Sequence, residues 1–307
     1  MTQPLPILDT TLASLSIRWE VLGERAVGDG RVVWLRVDPG AARVRVPSAI
    51  EALQVEETGS VPRLLVRNPQ KQPVLLAGNL VVKGGWQTRA IERSVVIAAG
   101  ASVLVPVRCV EAGRWSPESA GTARRFGDAE NLGISMRRRA QRMKGDELRS
   151  SGRYSASQQG MWASVTDELR SSGVESGTSS YTACLDQGRA RARQAADEAE
   201  IEAPAGCNAA LLVPGDGGWW LEAMPTPKAF AKRLQRLLPD LYEVTGGARG
   251  AVNASALLEA VWREPLTLLP HLEGALGDSF ALAAPTHSGE VIVLGGALAH
   301  VSIGATG

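Results

Sequence analysis

The stretch S-V-V-I-A-A-G-A-S-V-L-V-P-V-R-C-V, Ser94 to Val110, reads as two apolar strands about a four-residue turn. Gly100 suits the turn, and the residues from Ser102 to Cys109 alternate along a strand. Read as a hairpin, strands 94–97 and 102–109 pair antiparallel, and their outer ends come together. One outer end carries G-G-W-Q-T-R, Gly84 to Arg89. The other carries C-V-E-A-G-R-W, Cys109 to Trp115. The reading therefore expects Gln87 or Arg89 to touch Glu111 or Arg114.

Outward from this stretch, residues 14–115 read as β. S-L-S-I-R-W-E-V-L and R-V-V-W-L-R-V alternate at period two, and P-R-L-L-V-R-N and P-V-L-L-A-G-N-L-V-V follow as strands. Pro39-Gly40 marks a turn, and Ser48 with Glu51 forms a capping box. From 116 to 200 strand formers thin out. Helices are expected at 132–149, 155–171 and 179–198, broken at S-S-G. M-R-R-R-A-Q-R-M-K on the first helix is either a phosphate-binding face or a solvated one. The solvated face is preferred, because a basic run reads as a binding site only when clustered. After Cys207 come two strands around G-D-G-G. Next is a helix started by Thr226 and Pro227, with Phe230, Leu234, Leu237 and Leu238 on one stripe. A further helix ending near Pro265 and three closing strands complete the chain. The fold class expected is α+β: an N-terminal β-rich, mostly antiparallel region, a helical middle, and a C-terminal region of mixed strand and helix. The corresponding segments are 1–117, 118–204 and 205–307, packed as one or two domains.

Composition narrows the classes. The chain has 307 residues, 44% hydrophobic and 21% charged, with a formal net charge of +1. Such a balance gives no global field toward nucleic acid or a membrane surface. No apolar run approaches the roughly 18 residues of a membrane span, and no signal peptide is visible, so a cytoplasmic location is expected. Cys109, Cys184 and Cys207 are too scattered for a disulfide framework. His271, His287 and His300 lack metal-ligand spacing, so no metal is assigned. There is no phosphate-binding P-loop and no G-x-S-x-G elbow. A Cys109–His300 pair has no local signature, and a lone cysteine is more often a small buried hydrophobe. No cofactor is assigned.

The constellation that carries chemistry is therefore the one flanking the central stretch. Glu111 can act as a general acid or base, with Arg114 and Arg89 holding an anionic group. Gly84 and Gly85 permit positive φ and expose N–H groups, as an anion nest does. Trp86 or Trp115 can stack on a flat ring, and Gln87 and Cys109 complete the corner. A structural reading stands beside this one. Gly-Gly is then a bulge, Glu111–Arg114 a fold-specifying ion pair, and the tryptophans packing residues. For Glu111 the structural role is preferred, because buried ion pairs at strand ends need no ligand.

P-V-L-L-A-G-N-L-V-V-K-G-G-W-Q-T-R, followed by the central stretch and E-A-G-R-W, resembles the ARG-and-rhodanese-phosphatase-superfamily-associated protein family. The resemblance is specific over 62–130 and continues through Gly160–Val165, T-P-K-A-F and A-L-A-H-V. Gln87, Arg89, Cys109, Glu111, Gly113, Arg114 and Trp115 match its pattern. Asn79 stands where the family carries an acidic residue, and Trp86 where it carries a lysine. The family has no settled activity. Its gene association implies a link to ADP-ribose or NAD metabolism and a nucleotide-like ligand. Three functions are thus expected as alternatives: a ligand-binding or accessory protein, a hydrolase or transferase using Glu111, and a protein-interaction module. For the last, Trp219 and Trp220 are the anchors, unless both are buried, one of them beneath the 227–240 helix.

Overall fold

A strand whose residues are all apolar needs cover on both faces. Residues 209–213, A-A-L-L-V, are of that kind, and all are buried. The structure is a computed structural model that describes residues 10–15, 17–38, 44–45, 52–115, 126–127, 129–243 and 253–307. The expected Pro39-Gly40 turn and Ser48–Glu51 capping box lie outside these residues. In it, β11 (Ala209–Val213) sits inside an eight-stranded antiparallel sheet. The order is β1 (Trp19–Val27), β2 (Gly30–Val37), β11, β12 (Trp220–Ala223), β17 (Ala297–Ala305), β16 (His287–Leu294), β15 (Asp278–Ala283) and β13 (Thr267–Leu268). The N-terminal hairpin β1–β2 thus joins the C-terminal strands, Leu35 lying opposite Ala209. Alternation divides β11 between two cores. Ala209, Leu211 and Val213 pack with Leu258, Val261 and Trp262 of α6 (Ala254–Arg263). Ala210 and Leu212 pack with Phe230 and Leu234 of α4 (Pro227–Gln235).

The start signal of α4 behaves as expected: Pro227 opens the helix and the Thr226 side chain accepts from Ala229 N at 3.2 Å. Trp219 and Trp220 face opposite cores and both are buried, Trp220 among the α4 residues. The indole of Trp220 lies flat over Gly304 of β17, where a Cβ would stand 2.3 Å from the ring. Beneath α4 the sheet carries a buried charge. Glu222 of β12 accepts from Arg233 Nε at 2.5 Å, Trp220 Nε1 at 2.9 Å and Ser302 Oγ at 3.0 Å, and meets His300 Nε2 at 3.1 Å. Burial pushes the Glu222 carboxyl up. Arg233 and His300 outweigh it and hold the group well below the ordinary carboxylate range.

The N-terminal half contributes two more antiparallel sheets. One is six-stranded: β10 (Ala129–Asn131), β6 (Leu80–Val82), β7 (Arg89–Ile91), β9 (Ser102–Cys109), β4 (Arg63–Arg67) and β3 (Gln54–Glu57). The other is three-stranded: β14 (Ala275–Leu276), β8 (Val95–Ile97) and β5 (Val74–Leu76). This corrects the hairpin reading. The turn is present, with Ala101 N donating to Ala98 O and Gly100 at φ 70°. However, β8 pairs with β5 and β14, while β9 pairs with β7 and β4. The physical reason is that β8 has no polar face. Val95 and Ile97 enter the core between the two sheets with Val103, Val105 and Val107. Val96 enters the α4 core on the opposite side. Side-by-side pairing across the 98–101 turn would have set Val95 opposite Leu104 and left Val95 and Ile97 on the face where Leu104 is exposed. The run P-V-L-L-A-G-N-L-V-V likewise splits into β5 and β6, in different sheets. The crossing is at Asn79, whose φ of 62° asparagine tolerates.

The helical middle is α1 (Ile134–Ser151), α2 (Gln158–Ser172) and α3 (Ala190–Glu198); the first two lie close to the expected spans, whereas the third, expected over 179–198, is divided into a π-helical turn over Cys184–Gly188 and α3. Met136 and Ala140 of α1 pack with Val81 and Ala90 of the six-stranded sheet and with Val110 just past β9. Gly145 rests on Ser288 of β16. With sheets on two sides, the basic run on α1 is divided: Arg142 is exposed, Arg138 and Arg139 are half-buried, and Arg137 and Lys144 are buried. Arg137 is fully buried against Asp240 and lies over the Trp220 ring, and Lys144 is 1% exposed. Arg138 pairs with Asp216 and Arg139 reaches Ser164 O. The fold is α+β: N-terminal antiparallel sheets, helices in the middle, and a C-terminal region of strands and helices. Among the described residues no helix is long and apolar enough to cross a membrane.

Candidate functional site

The two flanking segments do meet, through β7 rather than through a hairpin. Arg89 of β7 lies opposite Cys109 of β9, so the residues before β7 run alongside those after β9. Gln87 Nε2 donates to Glu111 O at 3.0 Å. The Glu111 carboxylate accepts five hydrogen bonds. Thr88 N and Oγ1 reach Oε2 at 2.9 and 3.0 Å, and Thr178 Oγ1 reaches Oε1 at 2.9 Å. Arg114 closes a two-pronged fork, Nε to Oε1 at 3.1 Å and Nη2 to Oε2 at 2.7 Å. Burial pushes the Glu111 carboxyl up, but Arg114, Thr88 and Thr178 together hold it below its ordinary value. Arg114 Nη1 donates to Gly85 O at 2.8 Å, tying the two segments a second time.

The glycine pair has the conformation expected of a nest, Gly84 at φ 115° and Gly85 at φ 58°. The anion beside it belongs to the chain: Glu57 Oε1 accepts from Trp86 N at 2.7 Å. Glu57 Oε2 also pairs with Arg89 Nη2 at 3.4 Å. A Cβ on Gly85 would stand 2.3 Å from Phe126, so that approach is closed to larger residues. Arg89 is fully buried, donates to Val61 O and Gln87 Oε1, and lies 5.2 Å beneath the Trp115 ring. Trp86 meets Trp115 edge-on at 5.5 Å, and Trp115 is exposed. Cys109 donates to Glu111 O at 2.9 Å, and burial pushes its thiol up. It lies in the six-stranded sheet and His300 in the eight-stranded one. All the candidate residues thus share one corner. Glu57, Thr88 and Thr178 belong to it too. Thr88 lies inside the quoted motif, whereas nothing local marks Glu57 or Thr178.

A cleft of about 870 Å³ opens elsewhere, lined by none of these residues. Its floor is the outward face of β4 and β9, with Arg63, Leu65, Ser102, Leu104 and Pro106. One wall is residues 151–155 at the end of α1, and the other is 269–274. Strand alternation that buries Val103, Val105 and Val107 necessarily turns Leu104 outward, where it is 45% exposed. Charged groups close the inner end. Glu92 Oε1 accepts from Ala156 N at 2.7 Å and pairs with Arg108 Nη2 at 3.0 Å. Lys144 Nζ donates to Glu92 O at 2.9 Å and lies 4.9 Å from the Tyr154 ring. Burial lowers the Lys144 ammonium and lifts the Tyr154 phenol well above its ordinary value. Glu290 Oε1 accepts from Ser94 N and Oγ at 3.0 and 2.6 Å. Arg93, 8% exposed, donates Nη2 to Pro270 O at 2.9 Å.

Sequence reasoning passed over this cleft, whose parts lie far apart along the chain and share no motif. Two faint signals exist. Glu92-Arg93 interrupts an otherwise apolar run, and Leu65 and Leu104 occupy strand positions where polar residues are expected. Volume and lining fall within the range of small-molecule sites. Neither a curated protein nor a solved structure matches the chain. The model of the ARG and Rhodanese-Phosphatase-superfamily-associated Protein domain matches residues 32–303, spanning the paired segments, the cleft and the eight-stranded sheet apart from β1, and the chain belongs to that family.

Proposed function

We propose that the protein binds a small organic molecule in the cleft between the β4–β9 face and the 269–274 segment. The observation that carries this reading is the coincidence, in one cavity of about 870 Å³, of an exposed aliphatic floor and buried charged groups at its inner end. Apolar lining with few convergent polar groups is the usual composition of a ligand site. In this reading the Glu111 corner is scaffold. A carboxylate that already accepts five hydrogen bonds and is held below its ordinary pKa is a poor proton carrier near neutral pH. Gln87, Arg89, Arg114 and the two tryptophans then lock the β7–β9 pairing, with the glycine pair fixing how the chain enters it. The burial of Trp219 and Trp220 removes the anchors on which the protein-interaction alternative rested.

The nucleotide-like ligand and the tie to ADP-ribose or NAD rest on family association, and they supply the first probes. The test is thermal-shift screening of wild type and Leu104→Glu against ADP-ribose, NAD, ribose 5-phosphate and a set of neutral and charged organic molecules. A ligand at a hundredfold its Kd raises stability by about 2.7 kcal/mol. A stabilising ligand whose effect disappears in Leu104→Glu supports the cleft. A ligand that stabilises both proteins equally binds elsewhere, and the reading fails.

A further inference from the structure

The cleft ends on a guanidinium without a counter-ion. Arg93 is 8% exposed, and its one hydrogen bond, from Nη2, goes to the Pro270 carbonyl. Among the described residues no carboxylate pairs with it. Its remaining N–H groups are not among the sealed, unpartnered polar atoms of the interior. Arg93 lines both the cleft and a smaller cavity of about 230 Å³ beside the 268–272 segment. Glu290 and Glu92 act on it electrostatically, but neither forms an ion pair with it. Glu92 pairs with Arg108 and takes Lys144 on its carbonyl, and Glu290 is engaged by Ser94. Of the three cations around these two carboxylates, Arg93, Lys144 and Arg108, only Arg108 forms an ion pair among the described residues. Arg63, Arg153 and Glu273 also line the cleft. A buried guanidinium left unpaired is costly, and its planar fork of donors matches a carboxylate or phosphate. The cleft's lining also offers aliphatic surface, Leu65, Leu104 and Leu272, among polar and charged residues that include Arg63, Arg153, His271 and Glu273.

We propose that the cleft takes an amphipathic organic anion, its single carboxylate or phosphate head received by Arg93 and its apolar body laid over Leu65, Leu104 and Leu272. This rests on the cleft reading above and names the class of ligand. The head gives Arg93 the ion-pair partner it lacks among the described residues, and the body covers the outward leucines of β4 and β9.

Isothermal titration with octanoate, octyl phosphate and octanol tests it on wild type, Leu104→Glu and Arg93→Gln. The expected result is that at least one anion binds wild type tenfold or more tighter than octanol. Arg93→Gln removes that advantage and leaves octanol unchanged, and Leu104→Glu abolishes binding of all three. Whichever of octanoate and octyl phosphate is preferred identifies the head group. If octanol equals both anions on wild type while Leu104→Glu still abolishes binding, the anion proposal is overturned and the cleft remains a ligand site. If no probe binds and the broader screen is also silent, both readings fall. The wild-type comparison needs no variant, so a poorly folding Arg93→Gln does not protect the proposal. Arg93→Lys, which keeps the charge, is expected to retain part of the anion preference.

Discussion

At the scale of single residues, two of the buried carboxylates make opposite demands on inference. Nothing in W-W-L-E-A-M, Trp219 to Met224, marks Glu222 as buried, and its partners Arg233, His300 and Ser302 lie on other elements, where no spacing reveals them. Glu111 and Arg114 were legible as a pair because they are three residues apart in one motif. Replacing Glu111 by Gln leaves Arg114 without its counter-charge and is expected to cost about 2–3 kcal/mol, read as a lower urea midpoint with ligand binding in the cleft unchanged. An unchanged midpoint would refute the scaffold role. Glu222→Gln, in a drier site, is expected to cost about 3–5 kcal/mol by the same measurement. Acid should expose both contributions. Each carboxyl is held below its unfolded value of about 4.3, so its contribution is complete above that pH and is lost as pH falls through the folded value. Urea midpoints measured from pH 7 to pH 3 should fall in wild type and fall less steeply in either variant.

At the scale of elements, local signals gave the turns and helix starts but not the partners. Thr226-Pro227 marked α4, and Phe230, Leu234, Leu237 and Leu238 are all buried as their stripe required. Removing the cap with Thr226→Ala is expected to cost about 1 kcal/mol in thermal or urea unfolding. The A-A-G-A turn was equally legible, yet a turn specifies only that the chain reverses. Whether its arms pair edge to edge or face each other across a core depends on how many faces each arm must hide, and β8 must hide both. Val95, which a hairpin would set opposite exposed Leu104, discriminates: Val95→Lys is expected to destabilise by about 4 kcal/mol or more, or to prevent folding. Leu104→Lys, nine positions on in the same quoted run, is expected to stay within about 0.5 kcal/mol of wild type. Equal tolerance of the two would favour the hairpin and count against the layered arrangement.

At the scale of the whole molecule, the composition pointed to an α+β fold with strands at both ends, and the structure has them. That the two ends share one sheet was not legible, because β2 and β11 carry no complementary signal beyond being apolar. Their union has a thermodynamic consequence. Cores on both faces of that sheet draw residues from the first 40 positions and from the last 100, as Leu35 and Val33 pack with Leu211 and Ile303. Calorimetry should show one cooperative transition, and a chain beginning after Val37 should not fold, lacking both the hairpin and the cover it gives β11. Two separated transitions would show independent parts instead. The cleft is a product of the same scale: its walls come from α1 and from the 269–274 segment, which meet only once the sheets have stacked.

The pairing of β2 with β11 also sets a timetable for synthesis. Val37 and Asn208, which hydrogen-bond to each other at that seam, are separated by 171 positions. A ribosome adding about 5–20 residues each second leaves the nascent hairpin waiting on the order of ten to thirty seconds for its neighbour. Throughout that interval β2 shows an unpaired apolar edge, the feature that recruits foreign strands. Production of this protein should consequently depend on elongation speed and on chaperones that shield nascent edges, and slower decoding between the two strands should lower its soluble yield.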